Sequence, residues 1–363
     1  MLPKTLRMQP EGPLRQRMRI PTLDGWRGVA ILLVLVYHYE LFFHNHPFWN
    51  CPFFAFGHHG VNIFFVLSGF VVTWTLRQEE KICLSGFYIR RFFRLMPAAW
   101  TYFLLLALLT AITSIKFFDK SVWSCLFFLS NDVPHYMDGT YTGQFWSLSL
   151  EEPFYIFWPP VLVCFGRRGG LFVSSLGAVA VAIYRYLHWS QYARFGIFMF
   201  FRTEVRADGL FVGCLLALLL EYSAAQRFFL AYGRWIIISC ILPLMIDFYR
   251  FQTVVPLHEN ILIALMIGST ALNPTLLWGR ILEFKYLKTT GMLSYGIYLW
   301  QGVFWRPMFG TLMFILLPTA VLASWCLIEK PSMALGRKLE ARLRAAQRKL
   351  TGTLQANSDE MLT

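Results

Sequence analysis

Arg27 and His38 stand eleven residues apart inside an apolar run, residues 23–43. At 3.6 residues per turn, eleven residues make about three turns, so on a helix the two side chains share one face roughly 16 Å apart. The stretch between them, GVAILLVLVY, carries no other charge, and with its flanks it is long enough to cross a bilayer. An ionisable group in a membrane span is costly and usually faces a bundle interior or a wet cavity. Imidazole titrates near neutrality, so His38 suits a general base, a nucleophile or a proton carrier. The same residues also fit a reading without chemistry, in which Arg27 snorkels to the head groups and His38 sits at the far interface.

Other segments carry candidate groups. FYIRRFFRLMP places Arg90, Arg91 and Arg94 just before Pro97. Arg91 and Arg94 are one helical turn apart and can converge on one anion. A guanidinium fork suits phosphate, which points to a polyphosphate cofactor such as coenzyme A or a nucleotide; the alternative is a topogenic cluster on lipid phosphates. GQFWSLSLEEPFYIFWPP places Glu151 and Glu152 at the mouth of a span. Adjacent acids on a helix diverge, so at most one of them faces the chemistry. Trp146, Phe154, Tyr155 and Trp158 read either as an interfacial belt or as the wall of a sugar-binding mouth. In FRTEVRADGLFVGC, Glu204, Arg206 and Asp208 must pair with each other or with polar neighbours, and structural ion pairing is favoured over substrate contact. His44, His46, His58 and His59 crowd HNHPFWNCPFFAFGHHG, but with no HExxH or supporting carboxylate spacing they read as interfacial histidines, and no metal site is expected. No GxSxG, P-loop or GxGxxG in its context is present, which weakens hydrolase, NTPase and dehydrogenase readings.

Composition says what must position these groups. Of 363 residues, 56% are hydrophobic and 15% charged, against about a quarter charged in soluble domains, so the chain reads as an all-α polytopic membrane protein. Apolar runs predict ten spans: 23–43, 60–76, 97–115, 146–165, 171–188, 204–222, 235–249, 258–278, 290–305 and 309–328. The short run 122–129 reads as an interfacial or re-entrant piece. With the amino terminus inside, the inner segments hold 25 Lys and Arg, the outer segments 7, and Arg206 lies within a span. That asymmetry obeys the positive-inside rule, and an odd number of spans would destroy it, so both termini are expected in the cytoplasm. The formal charge of +13 is thus topogenic, and no nucleic-acid partner is expected. Residues 1–22 read as a basic cytoplasmic segment with no cleavable signal peptide, 23–331 as the membrane domain, and 332–363 as a basic tail. ALGRKLEARLRAAQRKL in that tail reads either as an amphipathic helix on the inner membrane surface or as a solvated terminus. The seven cysteines read as small packing residues, with little support for a Cys51–Cys125 disulfide. No internal repeat supports an inverted-repeat transporter.

Taken together, LDGWRGVAILLVLVYH, GVNIFFVLSGF, YIRRFFRLMP, FWSLSLEEPFY, RADGLFVG, LSYGIYLW and IEKP resemble membrane acyltransferase family 3, in that family's order and over residues 23–331. The resemblance implies about ten spans, an acyl-CoA donor from the cytoplasm (acetyl-CoA above all) as co-substrate, and no tightly bound cofactor. It implies an acceptor hydroxyl on an extracytoplasmic glycan, glycolipid or small molecule, in the bacterial cytoplasmic (inner) membrane. Arg27 and His38 would be the family's essential Arg–His pair, and Arg91 and Arg94, with Arg90 beside them, its donor site. Ser68, Gly69, Trp146 and Glu151 fall on positions tied to activity or pore architecture, and Glu152 and Tyr298 are placed with them in the acceptor pocket. Two residues depart from the pattern: Asn62 stands where Asp is common, and Gln301 follows YLW where the family usually has His. The family's optional SGNH-type domain is not expected after IEKP.

The mechanism expected from this reading is an O-acyl transfer. The donor phosphates bind Arg91 and Arg94, the pantetheine arm threads toward Arg27, and His38 acts as general base or transient acyl carrier. The rival reading is a transporter or flippase for an anionic or glycolipid cargo, which would use the same charged interior but has no need of the Arg-x-x-Arg.

Overall fold

A computed structural model of the chain describes residues 20–42, 57, 59–113, 121–131, 141–188, 201–250 and 257–360. Among them there are helices and no strands. Five helices are long and apolar enough to cross a membrane: Gly60–Arg77, Leu84–Ile112, Phe145–Leu187, Ser223–Asp247 and Pro307–Gln347. Runs 204–222 and 258–278 form the shorter apolar helices Asp208–Leu219 and Leu257–Leu272. The separate runs 146–165 and 171–188 lie in one element, α5 (Phe145–Leu187), whose backbone is non-helical at Gly166 (φ +60°, ψ −157°). An L side chain is strained at such a φ, which is why glycine marks the break.

The chain divides into two compact units. The first, Met1–Glu80 with Trp123–Ser294, contains α1 (Thr22–Phe42), α2 (Gly60–Arg77), α4 (Ser121–Leu126, except its first two residues), α5, α6 (Thr203–Arg206), α7 (Asp208–Leu219), α8 (Ser223–Arg250), α9 (Leu257–Leu272), α10 (Leu277–Leu282) and α11 (Lys285–Met292). Its apolar core includes Ala30, Val66, Phe70, Leu216 and Ile267.

Side-chain pairs give the directions of its helices. Asn62 meets Arg206 and Arg77 meets Glu221, so α2 and the α6–α7 stretch run the same way. Phe65 meets Trp146, Ser68 meets Glu151 and Thr73 meets Trp158, so α2 and the first half of α5 are also parallel. By contrast Asn273 bonds the carbonyl of Phe229 and His258 meets Asp247, so α8 and α9 are antiparallel.

Small residues bring these backbones together. A Cβ on Gly69 would collide with the Leu210 carbonyl, and one on Gly213 with that of Val66, so α2 and α7 interlock through reciprocal glycines. Gly25 and Gly28, on one face of α1, approach the carbonyls of Leu282 and Leu287, and Gly291 approaches that of Asp24.

The second unit, Lys81–Val122 with Tyr295–Thr363, contains α3 (Leu84–Ile112), α12 (Ser294–Phe304, from its second residue), α13 (Met313–Ser324) and α14 (Lys330–Glu360), with a π-turn, Trp325–Glu329, joining the last two. The segment FYIRRFFRLMP lies in the first half of the 29-residue α3, with Pro97 inside the helix. Trp100, Leu104, Leu108 and Ile112 recur at helical spacing and are exposed, Ile112 by 76%. An apolar stripe turned outward over three turns fits a hydrocarbon surround, not water.

The glycine seam between α2 and α7 should not tolerate a side chain. Gly69→Val is expected to lower stability by about 1–3 kcal/mol or more. A melting curve of the detergent-solubilised variant checks this; an unshifted midpoint would mean that the two backbones are not in contact.

Candidate functional site

Helix α1 is continuous from Thr22 to Phe42 and carries both Arg27 and His38. His38 is half-buried, and its Nδ1 lies 2.9 Å from the Val34 carbonyl oxygen, one turn back on the same helix. A carbonyl can only accept, so the neutral ring holds its proton on Nδ1 and its lone pair on Nε2. Tyr37 packs edge-on to the imidazole at 5.5 Å between centroids. Arg27, also half-buried, donates to Asp24 Oδ1 at 3.3 Å. The helix thus offers a histidine in one fixed tautomer and, about three turns away, a partly paired cation.

Helix α2 lines the same unit with Asn62, Phe65 and Ser68 at three-residue spacing. Ser68 Oγ donates to Glu151 Oε1 at 2.9 Å, and Tyr155 reaches Glu151 Oε2 at 3.4 Å. Two expected pocket residues, Ser68 and Glu151, are therefore hydrogen-bonded to one another. Glu152, its chain neighbour, is buried. Trp146 packs against Phe65 at 5.9 Å and Phe201 at 4.7 Å, with the Arg206 guanidinium 5.8 Å from its ring.

Behind this wall lies a buried polar network. Glu259 Oε1 accepts from His59 Nδ1–H at 2.7 Å and from Asn62 Nδ2 at 2.8 Å, while Asn62 Oδ1 accepts from Arg206 at 2.7 Å. The amide of Asn62 is thus oriented by chemistry alone: its NH2 must face the carboxylate and its oxygen the guanidinium. Asp208 receives both Arg185 guanidinium NH2 groups, at 3.2 and 2.9 Å. Glu204 pairs with Arg202. Glu204, Arg206 and Asp208 therefore each find a partner among neighbouring polar groups.

Sequence reading weighs His59 only among the loop histidines and passes over Glu259 and Arg185. The signal for Glu259 is a carboxylate one turn before the apolar run of LHENILIALMIG, which needs a buried partner. His44, His46, His58 and Cys51 lie outside the described residues. Cys125 is a buried thiol near the carbonyl of Thr142.

In the second unit the expected arginine set divides. Arg90 pairs with Glu340 of α14, which also receives Arg344 at 2.9 Å. Arg91 is half-buried and Arg94 exposed, one turn apart on α3. Tyr295 donates to the Leu95 carbonyl at 2.8 Å, and Glu329, buried in the π-turn, accepts from Ser324 at 2.9 Å. Next to Tyr295, Gly296 faces the Glu329 carboxylate with little room for a Cβ. YIRRFFRLMP, LSYGIYLW and IEKP thus converge on one another. Tyr298 is buried in this unit.

A family model described as an acyltransferase domain, that of acyltransferase family 3, matches residues 20–328. The chain belongs to this family. Among its relatives, YrhL of Bacillus subtilis is 27% identical over 86% of this chain and 54% of its own length. The peptidoglycan O-acetyltransferase OatA of Listeria monocytogenes is 27% identical over 78% of this chain and 49% of its own. The O-acetyltransferase OatA of Staphylococcus aureus is 28% identical over 78% and 50%. The chain spans about half the length of these curated relatives. No solved structure matches it. Together with the apolar helices, these relatives make it a multi-pass integral membrane protein.

The polarity of the Asn62 amide generates a prediction. Asn62→Asp sets a second carboxylate against Glu259, and Glu259→Ala removes the acceptor shared by His59 and Asn62. Each is expected to lower stability, Glu259→Ala by about 1–3 kcal/mol for each buried donor left without an acceptor. Thermal unfolding in detergent checks this, and wild-type midpoints for both variants would dissolve the network.

Proposed function

We propose that this protein is a membrane O-acyltransferase that moves an acyl group, acetyl above all, from acyl-CoA to a hydroxyl of an extracytoplasmic glycan or glycolipid. The observation that carries the reading is His38: a half-buried imidazole on the helix that also carries Arg27, beyond an apolar stretch, with its lone pair directed to Nε2 by its own backbone. In the proposed step Nε2 takes the acceptor hydroxyl proton as the oxygen attacks the thioester carbon. The carbon–sulfur bond then breaks, and the thiolate leaves as coenzyme A after protonation. A positioned base of this kind contributes about 10²- to 10⁴-fold in rate. Arg91 and Arg94 take the donor phosphates, and Arg27 supplies positive charge on the donor's route to the imidazole. The pocket around Ser68, Trp146 and Glu151 receives the acceptor: an aromatic wall with a hydrogen-bonded acid suits a sugar ring, and the Listeria relative is a peptidoglycan O-acetyltransferase.

The ten-span arrangement with both termini in the cytoplasm belongs to this proposal. Its support is directional: the helices of expected spans two, four and six run parallel, and those of seven and eight antiparallel. Arg77 and Arg167, both expected inside, converge on Glu221.

Membranes carrying the protein, given radiolabelled acetyl-CoA and a peptidoglycan fragment, test the reading. Label is expected to move to the glycan, and His38→Gln to reduce transfer at least 100-fold at unchanged abundance. Transfer that survives in that variant removes His38 from the chemistry. Cargo accumulating with no acyl transfer would instead favour transport. Arg94→Ala is expected to raise the KM for acyl-CoA about tenfold while leaving that for the glycan alone; equal rises in both would reduce the arginines to topogenic charges.

A further inference from the structure

Gln301 is 3% exposed, yet among the described residues neither its Oε1 nor its Nε2 bonds to any protein group. The indole Nε1 of Trp300, its neighbour, is likewise buried and unbonded. Leaving such a group unsatisfied costs about 1–3 kcal/mol, and native structures retain few of them. Other polar groups of the same unit are satisfied, Tyr295 on the Leu95 carbonyl and Glu329 on Ser324. Gln301 and Trp300 are therefore two adjacent unsatisfied groups on one helix.

Its position is set by two contacts between α3 and α12. Tyr295 bonds Leu95, and Trp300 packs edge-on to Tyr102 at 5.6 Å between centroids, so the two helices run side by side in one direction. Leu95 follows Arg94 directly, and Gln301 lies six residues beyond Tyr295, about 9 Å further along at 1.5 Å per residue. A primary amide does not titrate near neutral pH, so general acid–base chemistry is closed to it. What it can do is donate and accept at once, which matches another amide.

We propose that Gln301, with Trp300 beside it, is a recognition site for a secondary amide of the donor's pantetheine arm. The proposal rests on the acyl-CoA reading above. Acyl-CoA presents its groups in linear order: phosphates, two secondary amides, thioester. The chain presents Arg94 for the first and, further along the same pair of helices, an unsatisfied amide for the second. An acyl tail has no hydrogen-bonding group for this site, and a sugar hydroxyl is the competing occupant.

Binding to the detergent-solubilised full chain separates the possibilities, with coenzyme A and adenosine 3′,5′-bisphosphate as probes and Gln301→Leu and Gln301→Met as variants. The bisphosphate keeps phosphates and lacks the amides. Both variants are expected to weaken coenzyme A about tenfold, leave the bisphosphate unchanged, and melt at or above the wild-type temperature, since an apolar side chain of similar size relieves an unsatisfied amide. If wild-type and variants bind coenzyme A equally, the amide site is overturned and the donor reading stands. A loss shared by both probes, a lowered melting temperature, or a rise in the KM for glycan in place of coenzyme A also overturns it. Wild-type protein that binds neither probe defeats the donor reading itself, and the amide site with it.

Discussion

Charges buried in an apolar bundle must be paired, and that constraint governs the arrangement of the first unit. Arg185, Arg206, Asp208 and Glu259 are all buried. Two positive and two negative groups in a low-dielectric interior are tolerable only if each is met by an opposite charge or a strong dipole. Arg185 and Asp208 meet directly, whereas Arg206 and Glu259 are joined through the Asn62 amide. The second arrangement ties α2 to α6 and α9 at a single level. It also holds His59, and with it the start of α2, at a fixed height.

That anchoring matters for α1, the helix that carries His38. Gly57 and Gly60, on either side of His59, lie against α1 near Tyr37 and Ala30, where a Cβ would collide. At its other end α1 is gripped by Gly25 and Gly28 against Leu282 and Leu287. A helix clamped at both ends by backbone contact has little freedom to rotate, so the orientation of His38 follows from glycines along its helix and the neighbouring segments. The Val34 carbonyl then completes the arrangement by choosing the tautomer.

In the second unit, saturated and unsaturated polar groups contrast. Arg90 and Arg344 share the Glu340 carboxylate, and Glu329 sits in a π-turn with a serine hydroxyl on it. Such turns often mark functional positions, because the extra residue redirects a side chain out of helical register. Against this background the bare amide of Gln301 reads as a group kept for something that arrives.

The presence of Arg27 and His38 on one helix, the Arg-x-x-Arg turn, and the acid and aromatic residues at Trp146–Trp158 could all be read from the chain. Period, hydropathy and charge are local properties, carried by residues within a few turns of one another. The all-helical, membrane-spanning character was equally legible, because hydropathy is a property of composition. The partners were not. Glu259 lies 200 residues from His59 and 197 from Asn62, and Arg90 is 250 residues from Glu340. Nothing in the spacing of a single chain says which of several buried carboxylates will face which cation. That choice is made when backbones close on one another at the glycine seams and leave each charge within reach of one partner.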